Sequence, residues 1–231
     1  MEPAVSVIQD QTLNRFLMDL HARSDAQIAA WKAFEAQDAA QAIPPTDEEI
    51  RQFRSDKFVA LDRDKAEFCY QLCCATGARR VVEIGTSYGV STLYLAAAVR
   101  ANTGTGERGV VIGTEYEPAK VAAARTHFEQ AGLSEYIELR QGDLRETLRE
   151  IEGPIDFLLV DIWIGMARIA LELVAPRLRA GACVVCDNTE LYRSEYADYF
   201  DFLNDPRQCF RTMTLPFRGG LELSVRGATS P

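Results

Sequence analysis

From Arg80 onward the chain alternates between short β-branched or aliphatic runs and longer stretches with helical apolar spacing. The runs at 81–84, 110–113, 136–139, 157–160 and 182–186 read as strands. Between them, 91–100, 119–130, 144–150 and 166–178 read as helices, the second stopped by Gly132. Apolar strands separated by amphipathic helices predict a parallel sheet covered on both faces. After Asn188 the rhythm changes. A helix at 194–203 precedes runs at 209–215 and 220–226, joined through the 216–220 turn as an antiparallel hairpin. The pattern predicts an α/β fold with a mostly parallel seven-stranded sheet, an antiparallel C-terminal hairpin and N-terminal helices.

The stretch before residue 60 is helical and differs in character. Leu13, Phe16, Leu17 and Leu20 recur at helical spacing, and Ile28, Trp31 and Phe34 continue the stripe until Ile43-Pro44-Pro45 breaks it. Thr46 through Glu49 predicts a capping box, with Thr46 as N-cap and Glu49 reaching back. Asp64 through Glu67 repeats that signature ahead of a helix over 68–75, which Gly77 ends. The chain therefore divides into a helical segment, 1–62, acting as a lid or dimer contact, and an α/β domain, 63–231.

Composition narrows the class without naming a function. A formal charge of −9 over 231 residues argues against a non-specific nucleic-acid binder, which needs clustered Lys and Arg. No apolar run approaches the roughly 20 residues of a membrane span, and no signal-peptide pattern opens the sequence. A cytoplasmic protein is expected, and the charge leaves room for a small substrate. Cys183 and Cys186 have C-x-x-C spacing, but residues three apart in a strand face opposite ways and cannot pinch one ion. The six cysteines read as free thiols.

The chemistry gathers at the ends of the strands. Val81-Val82-Glu83-Ile84-Gly85-Thr86-Ser87-Tyr88-Gly89-Val90-Ser91 runs strand, glycine turn and helix start together, the arrangement that lets backbone and free amides approach a ligand. The glycine spacing departs from G-x-G-x-x-G, and a carboxylate at Glu83 suits a cationic ligand better than a pyrophosphate. The following strands end at Glu115, near Asp143, at Asp161, and at Asp187-Asn188. In an open α/β sheet ligands bind outside this edge. Glu115 and Asp143 offer carboxylates that can accept from the hydroxyls or amines of a ligand; in a dehydrogenase an acid at Glu115 would serve as well. Ser91 and the amides of the Gly85–Gly89 turn, including Thr86, Ser87 and Tyr88, suit a carboxylate. Glu83 and Asp161 answer positive charge, and Tyr88 or Trp163 can face a cation or stack on an aromatic ring. Asp161, Asp187 and Asn188 together offer three oxygens suited to a hard cation such as Mg²⁺.

These motifs resemble class I S-adenosylmethionine-dependent methyltransferases of Rossmann-like fold, and more narrowly the cation-dependent catechol and caffeoyl-CoA O-methyltransferases. The resemblance runs from Asp64 to Arg226 and rests on the glycine turn, on Val160-Asp161-Ile162-Trp163, on Asp187-Asn188 and on Leu215-Pro216-Phe217-Arg218-Gly219-Gly220-Leu221. It implies S-adenosylmethionine contacts at Glu83, Ser91, Glu115 and Trp163, and a divalent-cation site at Asp161, Asp187 and Asn188. It further implies methyl transfer to a hydroxyl of a small phenol- or catechol-like acceptor, with Asp161 catalytic, in a cytoplasmic homodimer. One position departs from the family. Its members commonly carry a lysine three residues after the strand-four aspartate, where it takes the acceptor's proton; this chain has Ile164. Arg168, the next basic residue, is too strongly protonated to replace it. Two other readings stay open: a nicotinamide-dependent oxidoreductase, and a cofactor-binding interaction protein that has lost catalysis.

Overall fold

The computed structural model describes residues 6–27, 36, 46, 49, 55–104 and 108–228. The stripe at Ile28, Trp31 and Phe34 and the break at Ile43-Pro44-Pro45 lie outside them. Helix α1 (Gln11–Asp25) is followed by α2 (Arg63–Thr76), β1 (Arg80–Ile84), α3 (Val90–Asn102), β2 (Val110–Glu115) and α4 (Pro118–Gln130). Then come β3 (Ile137–Gln141), a single turn α5 (Leu144–Thr147), β4 (Ile155–Val160) and α6 (Ile164–Val174). The chain finishes with β5 (Leu178–Asp187), α7 (Ala197–Asn204), β6 (Phe210–Leu215) and β7 (Leu221–Arg226). The strands form one sheet in the order β3-β2-β1-β4-β5-β7-β6. Strands β1 to β5 are parallel, and β7 runs antiparallel to both β5 and β6.

Alternation along each strand divides the core into two layers. Val81, Phe157, Leu159, Cys183 and Val185 pack with α1, α2 and α3, whereas Val82, Ile84, Leu158, Val160, Val184 and Cys186 pack beneath α6 and α7. Cys183 and Cys186 thus lie in opposite layers, and every cysteine is a free thiol. Leu13, Leu17 and Leu20 of α1 enter the first layer beside Leu93 and Tyr94 of α3.

Local chemistry accounts for several element ends. Thr46 and Glu49 form the reciprocal capping box: the Glu49 carboxylate accepts from the Thr46 backbone N–H at 2.8 Å and the Glu49 N–H donates to Thr46 Oγ1 at 3.3 Å. The second box is a correction. Helix α2 starts at Arg63 with Asp62 as its N-cap residue, and Glu67 is drawn instead to Arg63, whose Nε lies 2.8 Å from its carboxylate. Gly77 ends α2 in the left-handed region, as the sequence predicts. Strand β5 begins four residues earlier than its apolar run, because Ile155 pairs with Leu178 while Phe157 pairs with Cys183, leaving an irregularity that contains Gly181. The helix predicted over 166–178 accordingly stops at Val174. Among the described residues no helix is long and apolar enough to cross a membrane.

Candidate functional site

Because β1 to β5 are parallel, their C-terminal ends share one edge of the sheet, and the order reverses between β1 and β4. The glycine turn after β1 sits at that reversal, where α/β sheets open a crevice. The Gly85 and Thr86 amides both donate to the Thr114 carbonyl, at 3.2 and 3.0 Å, fastening the turn to β2. Gly89, at φ +80°, is the N-cap of α3, and a Cβ there would meet the Phe128 ring at 2.4 Å. A glycine cap offers no side-chain acceptor, so the first-turn amides of α3 stay available to an anionic group.

Glu83 is fully buried inside β1, where its carboxylate accepts from Ser91 Oγ at 2.6 Å, Thr86 Oγ1 at 3.1 Å and the Thr92 hydroxyl. Burial pushes its pKa up, and the three hydroxyls pull it back. The Ser91 hydroxyl therefore serves Glu83, and what the start of α3 offers a ligand is backbone. Glu115 closes β2 more openly. Its two oxygens accept from the backbone amides of Ser87 at 2.7 Å and Glu117 at 2.8 Å, which fixes the carboxylate beside the turn. Ser87 adopts φ +49° to make that contact. Asp143 caps α5, accepting from the Arg145 amide at 2.9 Å, and also grips the Arg145 guanidinium, whose hydrogen bonds hold it down at about 2. Tyr88 turns toward the N-terminal segment: its ring stacks on Phe58 at 4.4 Å and its hydroxyl donates to the Asp56 carbonyl at 3.0 Å. Trp163, 39% exposed, precedes α6 at the same edge.

Asp161 and Asp187 follow Val160 and Cys186, so alternation turns both toward the layer containing α2. Burial pushes Asp161 up to about 8, aided by the charges of Asp187 and Glu83 and opposed by Lys65. Among the described residues its carboxylate accepts no hydrogen bond. Asp187 is also raised by burial, against the pull of Lys65. Lys65, which the sequence pattern does not single out, stands against Asp187. It is 1% exposed, its Nζ lies 2.6 Å from Asp187 Oδ1, and Asp62 stands 3.6 Å away on the same turn of α2. A signal was present: Lys65, Ala66, Cys69 and Cys73 make up the buried face of α2, so a lysine occupies an apolar stripe.

The three expected cation ligands fit a divalent ion poorly. One oxygen of Asp187 holds the Lys65 ammonium, and the other accepts from Asn188 Nδ2 at 2.8 Å. Asn188 Oδ1 faces the hairpin turn instead, where a Cβ on Gly219 would stand 2.6 Å from it. A doubly charged ion about 4 Å from an ammonium meets roughly 8 kcal/mol of repulsion at an effective dielectric of about 20. Among the described residues, no three His, Cys, Asp or Glu side chains gather as a metal group. Next to Asn188, a cavity of about 540 Å³ opens between Glu190-Leu191 and the turn of Leu215, Pro216, Phe217 and Gly219.

Comparison with known proteins bears on the fold and the family. A family model described as a methyltransferase domain matches residues 82–189. The catechol O-methyltransferase of Mycobacterium tuberculosis is 32% identical over 131 residues, covering 56% of this chain and 57% of that protein. The catechol O-methyltransferase of Niastella koreensis is 28% identical over 138 residues, covering 56% and 58%. The chain thus spans little more than half the length of these curated relatives. The structure of an O-methyltransferase from Bacillus cereus in complex with SAH aligns with a TM-score of 0.65 at 22% identity, covering 86% of this chain and 99% of the other. At that identity the likeness is one of fold.

Proposed function

We propose that this chain is an S-adenosylmethionine-dependent O-methyltransferase of the catechol and caffeoyl-CoA type, which transfers a methyl group from S-adenosylmethionine to a hydroxyl of a small phenol- or catechol-like acceptor. The observation that carries the reading is Glu115, a carboxylate held by two backbone amides beside a glycine turn and an uncapped helix start. That combination suits a ribose flanked by an amino-acid carboxylate. In this reading Asp143, at the start of α5, accepts from the adenine amine, and Trp163 offers a face to the adenine or the sulfonium. A bound ammonium or sulfonium would draw Asp161, raised by burial and its acidic neighbours, back toward its charged form, with the hydroxyl-lined Glu83 behind it.

In the reaction the acceptor oxygen attacks the sulfonium methyl in line. An O–C bond forms, the S–C bond breaks with its electron pair staying on sulfur, which leaves as a neutral thioether, and the hydroxyl proton passes to the Asp161 carboxylate. The donor is already activated, so the chain chiefly aligns two partners and excludes water. Asp161, which accepts no hydrogen bond among the described residues, is the group to which the acceptor hydroxyl donates. The cavity beside Asn188, with Leu191, Pro216 and Phe217 on its walls, suits an aromatic acceptor. The same reading takes the protein as a cytoplasmic homodimer, and light scattering tests the assembly.

Two measurements test the function. Thermal unfolding with S-adenosylmethionine, with NAD and with neither should show stabilisation by the first alone. Labelled methyl should then appear on one or more members of a phenol and catechol panel. Stabilisation by NAD alone would favour the oxidoreductase instead.

A further inference from the structure

We infer that Lys65 is a built-in counter-ion occupying the position at Asp187 where this type of site would hold a divalent metal, so that the rim works without one. The inference deepens the proposed function and rests on this rim being the methyl-transfer site. Lys65 Nζ approaches Asp187 Oδ1 to 2.6 Å, with both side chains almost wholly removed from solvent. A solvent-facing lysine samples many rotamers, whereas this one is threaded through the buried face of α2 and ends on the carboxylate. Its other neighbour, Asp62, belongs to the same helix turn, so the ammonium is held from two sides.

Three features act together. The ammonium fills one oxygen of Asp187, and the Asn188 amide N–H fills the other. The Asn188 carboxamide oxygen, the atom a hard cation would need, is turned to the space left by Gly219. The positive charge that a metal would contribute between Asp161 and Asp187 is supplied by a covalently attached group. Ile164 fits this arrangement: a second lysine beside Asp161 would add a second ammonium to a rim already carrying one. Lys65 is a positioning residue. It holds Asp187 and balances the charge of the acid pair, while Asp161 faces the acceptor.

The test uses the full chain and Mn²⁺ alone, followed by the loss of the free-ion signal in electron paramagnetic resonance. Wild type is expected to bind no Mn²⁺ up to millimolar concentration. Lys65→Met should gain one site at least tenfold tighter, which Asp187→Asn in that background abolishes. Lys65→Arg keeps the charge and should stay without a site. Stoichiometric Mn²⁺ binding by wild type, or a folded Lys65→Met that gains nothing, overturns the inference. If Lys65→Met does not fold, wild type and Lys65→Arg decide: binding by either overturns it, and binding by neither supports it. Mn²⁺ binding is read without donor or acceptor, so failure of methyl transfer and failure of this inference are told apart. In active enzyme, turnover should be unchanged by chelator, and its loss with recovery on added Mg²⁺ would equally overturn the proposal.

Discussion

Gly85 lies directly against the backbone of Asp161: a Cβ on Gly85 would stand 2.0 Å from the Asp161 carbonyl oxygen. The contact joins the turn after β1 to the end of β4, with the Asp161 amide donating to the Ile84 carbonyl at 3.0 Å. Two segments at the rim, from strands adjacent in the sheet but distant in sequence, are held in one register by the lack of a side chain.

Gly85→Ala therefore meets two penalties. The residue has φ +94°, which an L side chain adopts at a cost of about 1–3 kcal/mol. Overpacking against rigid backbone adds about 1–3 kcal/mol more. Urea unfolding should show a loss of roughly 2–6 kcal/mol in total. Gly165→Ala is the control: it lies in α6 with nothing within 4 Å of an added Cβ, and should be neutral or gain up to about 1 kcal/mol. Equal losses in the two variants would show that Gly85 is not tightly packed.

His127 predicts a pH dependence of stability. It is 5% exposed, and Arg23 Nη1 lies 3.2 Å from its Nε2 while its Nδ1 lies 2.9 Å from the Tyr88 carbonyl. A guanidinium only donates, so Nε2 accepts and Nδ1–H donates, leaving no lone pair for a second proton. Burial lowers the His127 pKa, opposed by the Tyr88 carbonyl and reinforced by the Arg23 charge. His21, buried with its Nε2 3.2 Å from the Tyr94 hydroxyl, is lowered chiefly by burial as well. A pKa below the unfolded value of about 6.5 makes this stability complete above that pH and lost as the pH falls toward the folded values. Urea midpoints should therefore fall between pH 7 and pH 5, and fall less in His127→Gln. An identical slope in that variant would remove His127 from the explanation.

Much of this fold is legible in local pattern. Strand alternation and the glycine turns depend on neighbours along the chain, so all seven strands and the rim of Glu115, Asp161 and Asp187 follow from spacing. What spacing does not carry is engagement. Ser91 reads as a ligand contact, yet its hydroxyl is committed to Glu83, and Tyr88 is committed to Phe58. Lys65 reads as the interior of a capping box because its partner lies 122 residues away, and only the topology brings α2 over the end of β5. Its position four residues before Cys69, on a buried helical stripe, was the available clue.

Glu115 carries the most direct prediction about the donor. Its oxygens are oriented by the Ser87 and Glu117 amides, and each carboxylate oxygen keeps a lone pair that can accept from a ribose hydroxyl. Hydrogen bonds to a charged acceptor contribute about 1.5–3 kcal/mol each, so Glu115→Ala should weaken S-adenosylmethionine binding by roughly ten- to a hundredfold or more. The Ser87 amide is also released, and part of the loss would come from a loosened turn. Glu115→Gln separates the two effects: its amide oxygen still accepts from one backbone N–H, so it should retain more stability than Glu115→Ala while binding the donor more weakly than wild type. Isothermal calorimetry beside urea unfolding reads both quantities. Unchanged affinity in a stable Glu115→Ala would mean that the ribose is held elsewhere, and the assignment of this edge to the donor would fall with it.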